Sequence, residues 1–189
     1  MRWNALFADL EAQLDAADQA SLVAEVRDRT RREQSLISVV DRLVPAVGQQ
    51  VTVCVQGAGA TTGTLSSAGV DWILLTGATR ATDAELLIRS AAIMGIVGLG
   101  TASQSPTQTS PVGSRLDLRW ALRGLVRNRA GVQVALIDGA ILTGTLDHVG
   151  ADYVELAEHA AGEPRRAAAV RRTRLVPLAA LALLRANDG

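Results

Sequence analysis

Arg115, Arg119, Arg123 and Arg127 recur at every fourth position. On a helix, residues four apart share one face, so the spacing predicts a guanidinium ridge, with Arg129 just beyond it. A second cluster follows Glu163-Pro164: Arg165, Arg166, Arg171, Arg172 and Arg174. The guanidinium keeps its charge at all ordinary pH, and its fork matches phosphate oxygens two at a time. Phosphate contact is the chemistry open to these residues. The plainer reading, a solvated helix face and a charged surface loop, stands beside it.

For catalysis the inventory is thin. His148 and His159 are the only histidines, and neither has a partner at metal-ligand spacing. His148 falls where a repeat of the chain has Ser67, and reads as a strand or turn surface residue. Cys54, the single cysteine, alternates with Val53 and Val55 and reads as a small structural residue. Asp71 and Asp152 each follow a Gly by two positions, a pattern for turn carboxylates that accept backbone N–H groups. Gly57-Ala58-Gly59 does not lead into a helix, so it is not a phosphate cradle. No enzyme, metal site or cofactor is expected.

The charge balance bears on partners. Nineteen arginines face 19 acidic residues, with no lysine, so the chain lacks the basic excess of a general polyanion binder. The distribution is uneven: residues 1–112 hold 8 Arg against 11 acidic residues, and residues 113–189 hold 11 against 8. No apolar run approaches the length of a membrane span, and no secretory leader is evident. The expectation is a soluble, cytoplasmic protein without a membrane partner.

The elements that must position these residues can be read next. Trp3, Leu6, Phe7, Leu10 and Leu14 lie on one helical face within residues 1–17, a candidate surface for a protein partner or a second copy. Asp9, Glu11 and Asp15 turn away from it, early enough to suggest a macrodipole role. Ser21 to Gln34 is a second, charged, helix-prone segment. Residues 98–114 are rich in Gly, Ser, Thr, Gln and Pro and predict a flexible linker.

The linker splits the chain into two copies of one pattern. A shift of 81 residues lays Val51–Leu75 on Val132–Leu156 without a gap, matching Val51/Val132, Val53/Val134, Gly63/Gly144, Leu65/Leu146, Gly69/Gly150, Asp71/Asp152 and Leu75/Leu156 among others. A seven-residue insertion then restores Leu87-Ile88 over Leu175-Val176 and Ala91-Ala92 over Ala179-Ala180. Duplication is the economical explanation. Each copy reads as a helix and five short strands, with Asp138-Gly139 a strong hairpin turn and Gly63 and Gly144 marking bends. In the second helix Leu118, Ala121, Leu122 and Leu125 form the buried stripe.

Helix, V-x-V-x-[VL], turn, T-G-T-L, then G-x-D-[WY]-[IV]-x-L resembles the Sm-like barrel family, and SH3-like and PRC-type barrels share parts of the pattern. The resemblance covers about two-thirds of the chain. It implies an α+β, mostly β protein: an N-terminal helical segment at 1–37, a first barrel at 38–97, the linker at 98–114 and a second barrel at 115–186. The Tyr-Lys-His signature of the bacterial Hfq RNA chaperone is absent, with Arg89-Ser90 and Pro177-Leu178 in its place. The Asn and Arg-Gly with which eukaryotic Sm proteins grip uridine are absent too. The whole chain also resembles an actinobacterial family often labelled as Fis-type transcriptional regulators. That label implies a C-terminal helix-turn-helix, whereas Val170 to Ala186 reads as strands.

Two functions follow as expectations. The first is a non-catalytic regulator bound to nucleic acid, RNA before DNA, through Arg115, Arg119, Arg123, Arg127, Arg165, Arg166, Arg171 and Arg172 of the second copy. The second is a protein-interaction scaffold that assembles through barrel edges and the Trp3–Leu14 stripe.

Overall fold

The structure is a computed structural model that describes residues 2–77, 85–103, 116–160 and 170–187. Most of the linker, the inserted loop, Arg115, Arg165 and Arg166 lie outside the described residues. The chain divides into two compact units, Met1–Ser38 and Val39–Gly189.

The first unit is helix α1, Arg2–Ser35, one element where the sequence suggested two. No Gly or Pro interrupts it, and its Ala, Glu, Gln and Arg content favours a continuous helix. Trp3, Phe7, Leu10 and Leu14 are exposed on it, as the stripe requires; the side chain of Leu6 lies outside the described set. The first turn holds no acidic residue, so the expected macrodipole role fails. Asp9 is more than a turn in, where that field has faded.

The second unit begins with a short helix, α2 (Val39–Leu43), and a 3-10 turn at Val44–Ala46. Five strands follow: β1 (Gln50–Val55), β2 (Gly59–Ala68), β3 (Trp72–Thr76), β4 (Leu86–Arg89) and β5 (Ile93–Val97). The second copy repeats the order with helix α3 (Leu118–Asn128), β6 (Gly131–Leu136), β7 (Ile141–Val149), β8 (Tyr153–Glu158), β9 (Arg172–Pro177) and β10 (Leu181–Asn187). Val170 to Ala186, expected as strands, holds β9 and most of β10. No helix among the described residues is long and apolar enough to cross a membrane.

Alternation sets the cores. Val51, Val53 and Val55 point inward while Cys54 is exposed, and Val132 and Val134 repeat the arrangement. Both copies carry the same irregularities. The β2–β3 register slips between Leu65 and Ser67, and β7–β8 slips between the equivalent Leu146 and His148. The β1–β5 and β6–β10 pairs slip at Met94 and Ala182, again equivalent positions. Such bulges bend a strand and increase its twist. Gly144 sits where β7 crosses β8 so closely that a Cβ would strike the Ala157 carbonyl oxygen.

The ten strands form one antiparallel sheet, in the order β5-β1-β2-β3-β4-β10-β6-β7-β8-β9. The sheet is open, and no strand pairs β4 with β5 or β9 with β10 within a copy. The copies are instead joined to each other. β4 pairs with β10, Leu86 opposite Arg185, Leu87 opposite Leu184 and Ile88 opposite Leu183. Arg89 crosses the joint, donating Nε–H to the Leu181 carbonyl at 2.7 Å and Nη2–H to that of Ala179 at 2.8 Å. The cores interlock as well. Trp72 and Leu87 of the first copy sit in the second copy's cluster, and Ala182 of the second sits in the first's.

Asp71 has a longer reach than a turn residue. Its Oδ1 accepts the Leu118 N–H at 2.6 Å, 47 positions along the chain, satisfying an N–H that the first turn of α3 cannot pair internally. Trp72 Nε1–H and the Val70 N–H both donate to the Leu116 carbonyl, at 2.8 and 3.3 Å. Thus the first copy holds the entry to the second copy's helix. At the hairpin turns, Gly57 (φ +74°) approaches the Leu136 carbonyl too closely for any Cβ.

Two glycines separate close approach from helix entropy. Gly144→Ala is expected to lose about 1–3 kcal/mol, the cost of overpacking against a backbone that cannot retreat. Gly124→Ala, in α3 with open space around it, is expected to gain up to ~1 kcal/mol. Urea unfolding of both variants checks the pair.

Candidate nucleic-acid interface

α3 is strongly amphipathic. Leu118 and Leu122 are buried and Ala121, Leu125 and Val126 pack around them, as the stripe predicted. Asp117 caps its start, accepting the Trp120 N–H at 2.9 Å, the geometry of an Asp N-cap. At the other end Arg129 turns into the left-handed region (φ 49°), and its N–H reaches the Leu125 and Val126 carbonyls. A non-glycine residue there closes the helix at some conformational cost and leaves its guanidinium just past the last turn.

The predicted ridge divides. Arg119 turns back on the cap: Nε donates to Asp117 Oδ2 at 2.8 Å, Nη2 lies 2.7 Å from the same oxygen, and Nη1 reaches the Ala151 carbonyl at 3.4 Å. Desolvation pushes the Asp117 carboxyl upward. The Trp120 N–H, the Arg119 hydrogen bond and the charges of Arg119 and Arg123 outweigh it, and hold the carboxyl below its usual range. Arg123 and Arg127 are exposed and form no ion pair among the described residues.

Those two share a hollow with an aromatic one turn nearer the start of the helix. Trp120 is 49% exposed and lines a hollow of about 390 Å³ with Arg123, Val126, Arg127, His148 and Val149. A neighbouring hollow of about 520 Å³ is lined by Val126, Arg127, Arg129, Leu146 and Asp147. The two hollows share Val126 and Arg127 where α3 packs on β7, and they are lined by an indole, three guanidiniums, an imidazole and the Asp147 carboxylate. Sequence reasoning passed over Trp120 and His148 as contributors. The signal for Trp120 was present, because the Leu118/Ala121/Leu122/Leu125 stripe leaves position 120 facing outward, three residues before Arg123.

In the second cluster, Arg172 and Arg174 are engaged in ion pairs. Glu158 on β8 accepts from Arg172 Nε at 2.7 Å and from Arg174 Nε across β9. Arg171 is exposed, with its backbone N–H on the Glu158 carbonyl. Glu158 is mostly shielded, and desolvation pushes its carboxyl up. The hydrogen bonds and charges of Arg174 and Arg172 reverse that and hold it below its usual range. α3 and β9 carry the two clusters on different elements, with β8 lying between β7 and β9.

His159 is buried, its Nε2 2.9 Å from the buried Thr145 hydroxyl and its Nδ1 3.0 Å from the Ala160 carbonyl oxygen. No protein-family model and no curated protein matches this sequence.

Glu158 yields a pH expectation. A carboxyl whose pKa is depressed by folding stabilises the fold above its unfolded value and loses that contribution as pH falls through the folded value. Glu158→Gln should lower the melting temperature at neutral pH. It should also shrink the further loss on acidification below about pH 4, near the ordinary Glu value. Thermal melts of both proteins across an acid series read the two effects.

Proposed function

We propose that this protein is a non-catalytic regulator that binds nucleic acid, single-stranded RNA in preference to DNA duplex, on the α3 face of its second repeat. The observation that carries the reading is Trp120, half exposed and lining one hollow with Arg123 and Arg127, which form no ion pair among the described residues. An exposed aromatic stacks on an unpaired base, and guanidiniums beside it neutralise the adjoining phosphates. A duplex hides its base faces, so a stacking ring favours a single strand. We read each repeat as a small barrel of the Sm-like type. The shared strand order and the two bulges at equivalent positions support this. Arg119, held on Asp117, serves the helix cap in this reading, and Arg172 serves the sheet through Glu158.

Fluorescence anisotropy with a labelled single-stranded RNA tests it across a salt series. Trp120→Ala should weaken binding by about 1–3 kcal/mol, the usual worth of one stacked base. Replacing Arg123 and Arg127 together by Ala should flatten the log–log salt slope by about 1.4, at ~0.7 per phosphate contact on a single strand. Binding that keeps both its affinity and its slope in these variants rules out the α3 face.

A second reading, a protein-interaction scaffold, draws on α1, whose Trp3, Phe7, Leu10 and Leu14 are all exposed on a helix with no partner in its own unit. Light scattering on a chain lacking residues 1–34 should then show a smaller assembly than the full chain. An unchanged mass would count against it.

A further inference from the structure

The tip of the β1–β2 hairpin touches the second repeat backbone to backbone, Gly57 lying against Leu136 and Gly139. Beside that contact is a hollow of about 440 Å³, lined by residues of β2 from one repeat and of β6 and β10 from the other. Strand register fixes what faces it. Leu86, Arg185 and Gln133 lie directly opposite one another across β4, β10 and β6, so their side chains share one face of the sheet. Leu183, two residues before Arg185, is on that face too. Thr61 lies opposite the buried Val53 and points the same way as that core residue. The hollow is the mouth of the first repeat's core, and a guanidinium from the second repeat stands in it.

Three polar side chains in this mouth are uncommitted. Arg185 forms no ion pair among the described residues, and its Nε, shut off from solvent, has no hydrogen-bond partner. The side chains of Gln133 and Thr61 bond to no other described residue. No carboxylate among the described residues lines the hollow. A guanidinium drawn out of water without a counter-ion costs free energy, and its planar fork takes two oxygens of an oxyanion at once.

The sequence repeat shows that this opening is particular to the first copy. Ala60 and Thr61 stand where the second copy has Ile141 and Leu142, and Leu142 packs on the second core. Arg185 stands where the first copy has Val97, and Gln133 where it has Thr52. Smaller side chains leave the room, and polar ones face into it.

We propose that this mouth binds a small organic carboxylate with a compact apolar body. The carboxylate lies on the Arg185 guanidinium, with the Gln133 amide and the Thr61 hydroxyl as further donors. The apolar body rests on Leu86, Leu183 and Ile141. The volume falls within the roughly 300–1,000 Å³ usual for small-molecule sites. One guanidinium balances one carboxylate charge, whereas a phosphate monoester brings about 1.5–2. A ligand here touches both repeats, so its binding also tightens their joint. The proposal rests neither on RNA binding nor on α1.

Nuclear magnetic resonance titration of the full chain with 3-methylbutanoate and with benzoate tests it. The readouts are the Arg185 Nε–H and the Thr61 and Gln133 backbone amides, which should shift and saturate with at least one acid. The matching neutral amide, 3-methylbutanamide or benzamide, should bind about tenfold more weakly or worse, as losing a charged hydrogen bond requires. Inorganic phosphate should also bind more weakly than the acid. Arg185→Gln should lose about as much as the neutral amide does. Ala60→Ile places the second copy's residue at an exposed position and should close the mouth with Arg185 still present, lowering affinity by about tenfold. No saturable shift with either acid, equal binding of acid and amide, or tighter binding of phosphate would overturn the proposal. So would affinity unchanged in Arg185→Gln or in Ala60→Ile.

Discussion

The β4–β10 joint is the constraint on which the second unit depends. A repeat of about 60 residues buries too little surface to be secure alone, and its outer strands carry backbone groups that water or another strand must satisfy. Pairing Leu86–Ile88 with Leu183–Arg185 removes two such edges at once. Arg89 reinforces the seam with charge-assisted bonds to two carbonyls. Because Leu87, Trp72 and Ala182 cross the seam into the opposite core, the repeats share their hydrophobic stabilisation as well as their hydrogen bonds.

The candidate interface inherits its position from that seam. α3 lies on β7 of its own repeat, but its first turn is held by Asp71 and its approach by Trp72, both from the other repeat. The buried Leu118/Leu122 side then leaves Trp120, Arg123 and Arg127 no direction but outward. Among the described residues, the first repeat shapes the α3 face without placing a side chain in its hollows.

Much of this architecture was legible in the residues. Period-two alternation located Val51-Val53-Val55 and Val132-Val134, and the repeat of Gly69-Asp71 in Gly150-Asp152 marked equivalent corners. The Leu stripe oriented α3. What escaped was contact across the seam. Backbone pairing between β4 and β10 carries no side-chain signature, and Leu87 looks like any core leucine until its neighbour is known. Asp71 had the character of a turn residue because its partner, Leu118, is distant in sequence. The Arg ridge was readable as spacing, but its division was not: Asp117 next to Arg119 signals a cap, while Glu158 meets Arg172 and Arg174 only across a sheet. The unbroken α1 was within reach, since no Gly or Pro separates its two segments.

Arg89 and Pro177 mark where two copies of one sequence stopped being interchangeable. The four outer strands of the duplicated unit began as two identical pairs, yet β4 and β10 now live inside a core while β5 and β9 meet solvent. A substitution at Leu87 must answer to packing in both repeats; the same substitution at Leu175 answers to packing in neither. Duplication thus split one set of positions into two with different histories available to them. The inner pair is held to complementarity along both edges, and the outer pair is held only where Val176, Ile93 and Ile96 pack on their own cores, which leaves Leu175 and Met94 free to change.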